Sequence, residues 1–347
     1  MVSSRIGTVT DQTAPQLAEY NEATVVVTGG AGFVGSHLCQ RLLKLGANVI
    51  AIDNLLTGTI DNLDQVRRAV TGQAEKLQFI KADVISAPET YLTSTDRLNF
   101  IFHLASPASP YWYQRYPVET YLANSLATHQ LGSFLLSRYP QAILIFASTS
   151  EVYGNPQQHP QSEEYWGNVN PNGPRSCYDE SKRLGETICG VLHRDFGLDT
   201  RIARIFNTYG PRLNRRDGRV IVEFVTQALE RQPLSIFGDG RQTRSFCYVS
   251  DLVEYLVRLG AVGELAGQTL NIGNPDEHTV ADTADTIWRM INPGSEPRWR
   301  HQPLPIDDPL RRQPDIAQAR RLLNWSPQVS FQQGLAETIS YYRAASA

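Results

Sequence analysis

The sequence predicts an α/β fold, a doubly wound parallel sheet with a smaller C-terminal α/β domain. Three observations carry the prediction. Short β-branched and apolar runs alternate with segments of helical periodicity, the pattern of strands buried under helices. The first such run leads into Gly29-Gly30-Ala31-Gly32-Phe33-Val34-Gly35 and then into an apolar-periodic helix. Strand, glycine turn and helix in that order make a Rossmann-type dinucleotide fingerprint. Further on, Tyr178 and Lys182 stand at i and i+4 at the start of another helical pattern, so their side chains share a face.

Taken in order, residues 1–22 are polar and aperiodic, with neither the basic start nor the apolar run of a signal peptide, and read as a flexible tail or arm. Residues 23–28 form the first strand. Gly29 permits the tight turn, Gly32 lets backbone approach a pyrophosphate, and Gly35 lets the helix pack on the strand. Phe33 and Val34 open that helix, whose free N–H groups face the phosphates. The second strand, 48–52, ends at Asp53-Asn54, where an acid accepts from the adenosine ribose and repels a 2′-phosphate, favouring NAD over NADP. A third strand precedes Asp83-Val84, suited to the adenine edge. The strand over 99–105 ends at Leu104-Ala105, at the carboxyl end where ligands bind in such sheets. The following Ser106-Pro107-Ala108-Ser109-Pro110 suits a sugar or nicotinamide pocket, or a plain turn. Residues 117–139 read as one long helix containing Asn124, and 141–147 as a fifth strand.

That strand runs into Ser148-Thr149-Ser150-Glu151, which places a hydroxyl at a strand end opposite Tyr178. Thr149, Tyr178 and Lys182 then form a triad: Thr149 holds a substrate oxygen, Tyr178 takes its proton, and Lys182 holds the phenolate and the nicotinamide ribose. A free tyrosine titrates near ~10, and a fixed cation beside it lowers that value. Past Ile205 prolines multiply and arginines concentrate (Arg212, Arg215, Arg216, Arg219, Arg241, Arg244, Arg311, Arg312), as a dianionic ligand requires. The expected organisation is a tail over 1–22, a dinucleotide domain over 23–206 with returning segments near 234–272, and a substrate domain over most of 207–347.

The formal net charge of −3 argues against a nucleic-acid partner, and no apolar run has the length of a membrane span. Four cysteines without C-x-x-C spacing fit a reduced, cytoplasmic protein. Seven scattered histidines give no metal-ligand pattern.

With these residues in place, the chain resembles the extended short-chain dehydrogenase/reductase family acting on nucleotide sugars, and within it the UDP-glucuronate decarboxylases. The resemblance runs from about Thr24 to Trp325. It rests on Ser148-Thr149-Ser150-Glu151-Val152-Tyr153-Gly154, Tyr165-Trp166-Gly167-Asn168-Val169-Asn170-Pro171, Gly173-Pro174-Arg175-Ser176-Cys177-Tyr178-Asp179-Glu180, Arg204-Ile205-Phe206-Asn207-Thr208-Tyr209-Gly210-Pro211-Arg212 and Gln242-Thr243-Arg244-Ser245-Phe246. It implies an NAD-dependent lyase acting on a UDP-sugar: C4 is oxidised, the 4-keto acid loses CO2, C5 is protonated and the hydride returns. It also implies that Ser150 and Glu151 sit near C5 and C6, that Arg312 meets the sugar carboxylate, and that Arg244 and Asn207 meet the diphosphate. Pro110 and Arg219 complete the expected substrate contacts. A homodimer through a four-helix bundle of the helices near 117–138 and 176–196 is implied as well.

Ser150 stands where relatives that dehydrate the sugar carry an aspartate, which favours decarboxylation over a 4,6-dehydratase or a 4-epimerase. A non-catalytic NAD-binding sensor would have no need of the triad. Two positions depart from the family pattern. Ser106 replaces a common cysteine, and Glu223 replaces an asparagine near the diphosphate, where an acid repels phosphate unless it turns away or pairs with an arginine such as Arg219.

Overall fold

The computed structural model describes residues 17–93 and 96–345. In chain order the strands are β1 (Thr24–Thr28), β2 (Asn48–Asp53), β3 (Leu77–Lys81), β4 (Phe100–His103), β5 (Ile143–Thr149), β6 (Thr200–Ile205), β7 (Thr208–Tyr209), β8 (Leu234–Phe237), β9 (Thr243–Ser245), β10 (Cys247–Tyr248), β11 (Thr269–Ile272), β12 (Glu277–Thr279) and β13 (Trp299–Gln302). The helices are α1 (Phe33–Lys44), α2 (Ile60–Ala69), α3 (Pro110–Arg115), α4 (Pro117–Asn124), α5 (Leu126–Arg138), α6 (Ser176–Phe196), α7 (Val220–Leu229), α8 (Val249–Ala261), α9 (Val280–Ile291), α10 (Ala317–Leu323) and α11 (Phe331–Ala344).

Seven parallel strands form the central sheet in the order β11-β6-β5-β4-β1-β2-β3. The order reverses between β1 and β4, and the crevice there is where a doubly wound sheet binds its ligand. Alternation along β1 shows why both faces are covered. Val25 and Val27 pack with Leu38 and Leu42 of α1 and with Leu256 of α8, while Val26 packs on the other side with Ala127, Phe134 and Cys189 of α5 and α6. Each apolar residue thus leaves water on one face or the other, the main driving force of the fold.

The expected strands appear within a residue or two, and three expectations change. Residues 117–139 are two helices, parted at Ser125. Tyr121 O accepts from both Ser125 N (3.1 Å) and Ser125 Oγ (2.5 Å), and Thr128 Oγ1 donates to Asn124 O at 2.8 Å, so hydroxyls compete with the backbone for the carbonyls at the break. The second change concerns the returning segments. Thr269–Ile272 does rejoin the sheet beside β6, and α8 packs on α1. Leu234–Phe237 does not; it pairs with β13 in a separate two-stranded sheet of the smaller lobe. Third, residues 1–16 of the expected tail lie outside the described residues, but the remainder is not loose. Tyr20 is fully buried, and its hydroxyl donates to Val257 O at 2.9 Å.

The smaller lobe is built from α7, α9 and α11 with the short sheets β8/β13, β9/β12 and β7/β10. α6 is the element that positions the chemistry. It runs under β5 and ends at Gly197, which adopts the left-handed conformation that caps a helix at little cost. Midway, Gly185 lets α6 cross α4 so closely that a Cβ there would stand 2.7 Å from Asn124 O and would also strike Phe146. Gly185→Ala is therefore expected to lower unfolding free energy by about 1–3 kcal/mol in chemical denaturation, with catalytic loss from displacement of the Tyr178 face.

Candidate active site

The crevice between β1 and β4 holds a cavity of about 350 Å³. Its lining includes Gly29, Gly32, Phe33, Val34, Gly35, Asp53, Asn54, Asp83, Val84, Leu104 and Ala105, all of them anticipated from the sequence. Gly29 has φ +70°, and a Cβ on it would sit 2.9 Å from Ala105 N, so the turn is closed to other residues. The Asp53 carboxylate accepts from Ala31 N (3.0 Å) and Leu55 N (2.8 Å), which aims it into the cavity from the end of β2. Burial raises its pKa, opposed by those backbone N–H groups. A cradle without side chains, a helix N-terminus and a carboxylate at the next strand end fit the pyrophosphate and ribose of NAD. Asn54 Nδ2 donates to Asp83 Oδ2 at 3.1 Å, tying the two strand ends that face the adenine side. Beneath them, Thr28 Oγ1 bonds the His103 ring at 2.7 Å and accepts from Ala105 N at 3.2 Å. His103 is buried and its pKa falls to about 3 through desolvation, so it is a neutral strut between β1 and β4.

The triad lies beyond the far end of this cavity. Thr149 closes β5 and accepts from Glu151 N, and Tyr178 stands in the first turn of α6 with the Thr149 side chain among the groups acting on its hydroxyl. Lys182, one turn on, donates to Ala147 O at 2.6 Å and stands 5.8 Å from the Tyr178 ring centre. The electrostatics differ from the sequence expectation. Burial pushes the Tyr178 hydroxyl well above its ordinary value, with the Thr149 side chain pulling the other way, and burial lowers Lys182 to about 7. Desolvation dominates at Tyr178, and the Lys182 ammonium is taken up by the Ala147 carbonyl.

Next to the triad, Glu151 is clasped by two arginines. Its Oε2 accepts from Arg175 Nη2 at 2.6 Å and from Arg312 Nη2 at 3.3 Å. Burial favours the neutral acid, but Arg312 and Arg175 outweigh it and hold Glu151 well below the usual carboxylate range. Arg312 is 1% exposed and also donates to the carbonyls of Ser150 and Gly154. Arg244 reaches the same cluster through Asp308, whose carboxylate bridges Arg244 Nη2 (2.7 Å) and Arg175 Nη1 (3.2 Å). Ser150 is buried beside them.

Other anticipated residues fall elsewhere. Asn124 is buried and donates to Ser181 Oγ at 3.0 Å, behind the cavity wall. Pro110 is exposed at the first position of α3, and Asn207 sits between β6 and β7 with its carbonyl accepting from Cys247 N. Arg219 lines the cavity, paired with Asp217. Glu223 turns to Gln227, accepting at 2.6 Å, and burial raises its pKa. The arginines of the C-terminal half split into two groups, around the cavity (Arg212, Arg215, Arg219) and around Glu151 (Arg244, Arg312), while Arg216, Arg241 and Arg311 are exposed.

Sequence reasoning assigned no role to Arg175, Asp308, Asp179 or Tyr113. The Tyr113 ring stacks on Tyr178 with centres 5.1 Å apart and an interplanar angle of 7°. The signal was present for Arg175 and Asp179, which flank Tyr178 in sequence; Tyr113 and Asp308 reach the site only through folding.

Comparison with known proteins follows the same lines. The sequence profile of the NAD dependent epimerase/dehydratase family matches residues 25–273. UDP-glucuronic acid decarboxylase 1 of Arabidopsis thaliana is 46% identical over 319 residues, 92% of this chain and 69% of its own length. Among solved structures, an epimerase from Methanothermobacter thermautotrophicus superposes with a TM-score of 0.86 at 30% identity, covering 97% of each chain. A Bacillus cereus UDP-glucuronic acid 4-epimerase in complex with UDP-glucuronic acid and NAD gives a TM-score of 0.81 at 28% identity, covering 93% of this chain and 99% of that one.

Asp179 offers a test of the site's electrostatics. It is buried, and desolvation together with the neighbouring Glu151 raises its pKa strongly. The native state therefore holds a proton that the unfolded chain releases near ~4, and stability falls as pH rises from there toward the raised native value. Asp179→Asn removes that dependence, so unfolding free energy measured from pH 5 to 8 should decline less steeply than in the parent protein.

Proposed function

Since the chain belongs to the NAD dependent epimerase/dehydratase family, we propose that it decarboxylates UDP-glucuronic acid to UDP-xylose, a redox-neutral cycle within one NAD-containing site. The observation that carries this is the buried Arg175–Glu151–Arg312 cluster beside Thr149 and Tyr178, a cationic receptor next to a hydroxyl-oxidising pair. Identity of 46% to a UDP-glucuronic acid decarboxylase over 92% of the chain supports the same reaction.

The residues divide the work as follows. Gly29, Gly32, Gly35 and Asp53 hold the dinucleotide, which when bound supplies the hydride acceptor for C4 and a positive charge that favours the Tyr178 phenolate. Tyr178 accepts the proton of the sugar 4-hydroxyl, with Lys182 across its ring face and the Thr149 side chain favouring the phenolate. The 4-keto acid that results loses CO2, and the bonding electrons pass into the C4 carbonyl, whose oxygen Thr149 and Tyr178 stabilise as an enolate. Arg312 orients the carboxylate. Because Glu151 is ionised and already bonded to Arg312, the cation's pull is partly neutralised, and the carboxylate is oriented without being locked. Ser150 leaves the C5–C6 side without an acid for expelling a hydroxyl, which suits decarboxylation better than dehydration. Arg244, Arg219, Asn207 and Pro110 complete the proposed UDP-sugar side, with residues 207–347 as its principal domain and 23–206 as the dinucleotide domain. C5 would then take a proton from water, and Tyr178 would give the 4-oxygen back its proton as the bound dinucleotide resupplied the hydride to C4, so the cycle needs no outside oxidant.

We further propose a cytoplasmic homodimer. Its supports are the free cysteines, three of them buried, and the apolar residues that α4 and α6 leave in water: Val118 at 48%, Tyr121 at 43% and Leu184 at 49% exposure. No helix among the described residues is long and apolar enough to cross a membrane. Leu184→Glu is expected to convert the dimer to monomer in light-scattering chromatography; an unchanged mass would remove this face from the interface.

The reaction is tested by incubating the protein with UDP-glucuronic acid and NAD+ and following CO2 and the sugar nucleotide by mass. Release of CO2 with UDP-xylose and no net NADH is the expected result. Tyr178→Phe should retain NAD binding while activity drops about 10²- to 10⁴-fold. A sugar nucleotide of unchanged mass but altered C4 configuration would replace decarboxylation with epimerisation.

A further inference from the structure

We infer that Gln161 and Asn271 are positioning residues for Arg312: they clamp the strap over residues 313–315 in the register that sends Arg312, and not Arg311, into the Glu151 cluster. The inference rests on Arg312 as the carboxylate receptor proposed above, and it assigns the aiming of that receptor to two amides outside the cluster.

The strap lies between β13 and α10. Two adjacent arginines lead into it, so side-chain chemistry alone does not decide which one enters the site. Burial alternates along the segment. Arg312, Pro314 and Ile316 are buried, Arg311 is exposed, and Gln313 and Asp315 are half-buried. An extended segment has a period of two, so a slip of one residue would bring Arg311 or Gln313 to the place of Arg312.

Gln161 fixes the register. Its N–H donates to Gln313 O (2.9 Å) and its carbonyl accepts from Asp315 N (2.8 Å), a parallel bridge centred on Pro314. Its side-chain Oε1 accepts from Gln313 N at 2.9 Å. Sliding the strap one residue either way would put Pro314 where Asp315 or Gln313 now donates. Proline has no N–H, so either slip leaves an acceptor of the fully buried Gln161 unpaired. Pro314 is also seated against Gly273, where a Cβ would stand 2.8 Å from the proline Cγ.

Asn271 of β11 ties the two halves of the cluster together from behind. Its Nδ2 donates to Gln161 O (3.0 Å) and Asp315 O (3.1 Å), and its Oδ1 accepts from Tyr153 OH at 2.8 Å. Tyr153 ends the turn that carries Ser150 and Glu151. One fully buried side chain thus holds the strap that follows Arg312 and the turn that bears its partner Glu151. Glu151 grips Arg312 less closely than Arg175, at 3.3 against 2.6 Å, and Arg312 Nε is buried without a hydrogen-bond partner. Arg312 therefore depends on its backbone for its aim.

The test is calorimetric and needs no turnover. Asn271→Asp keeps the side-chain shape but sets an oxygen against two carbonyls. Gln161→Met removes the Oε1 acceptor and leaves the backbone bridge in place. Each variant and the parent are loaded with NADH, which cannot oxidise the sugar, and titrated with UDP-glucuronic acid and with UDP-glucose, which lacks the carboxylate. Both variants are expected to bind UDP-glucuronic acid about 10- to 100-fold more weakly than the parent, with UDP-glucose changed by less than about 2-fold. In an Arg312→Met background, Asn271→Asp should add less than about 2-fold, because the residue it aims is gone. Retained NADH affinity identifies the folded variants, and Gln161→Met supplies the result if Asn271→Asp does not fold. Equal weakening of both sugars, or a full effect that persists without Arg312, would make the clamp a fold support only and overturn the proposal. If the variants prefer UDP-glucuronic acid as strongly as the parent does, the clamp falls and the carboxylate receptor stands. If the parent itself binds both sugars equally, the receptor falls and takes the clamp's role with it.

Discussion

A guanidinium stays charged wherever the chain puts it, and this protein buries several. Arg312, at 1% exposure, needs Glu151 and two carbonyls around it. That need draws the segment near residue 312 across the chain onto the end of β5, where Thr149 and Ser150 sit. Arg175 makes a second demand on Glu151 and, through Asp308, brings in Arg244 from β9. Removing one member of such a set costs about 3–5 kcal/mol because its partner is left buried and uncompensated. The cluster therefore pins the smaller lobe to the sheet at the point where the substrate's acidic sugar is proposed to arrive.

Two further arginines show the same constraint solved for structure alone. Arg204 meets Glu186 with two contacts, 2.9 and 2.7 Å, and Glu186 also accepts from Ser148 Oγ, so β5, β6 and α6 share one carboxylate. Arg201 donates to Leu259, Gly260 and Val262 carbonyls at the end of α8 while pairing with Asp199. Both serve to dock helices on the sheet.

Burial also sets the acid–base character of the site. Tyr178 and Asp179 are pushed toward their neutral forms by desolvation, Glu151 is held ionised by its arginines, and Lys182 is lowered to about 7. Carboxylates near one another thus carry opposite protonation because their partners differ, a separation that sites of acid–base chemistry commonly use.

Sequence alone determined the parallel sheet, the glycine cradle, Asp53 and the triad, because each rests on local order: a strand, its turn and the helix after it, or residues one helical turn apart. It also placed Arg312 and Glu151 as members of one site through resemblance. What it left open depended on long-range packing. The pairing of β8 with β13 rather than the main sheet joins segments far apart in the chain. The stacking of Tyr113 on Tyr178 and the bridging by Asp308 are likewise contacts between distant segments. The upward shift at Tyr178 is a matter of desolvation, which has no local signature in a sequence and exists only once the chain has excluded water.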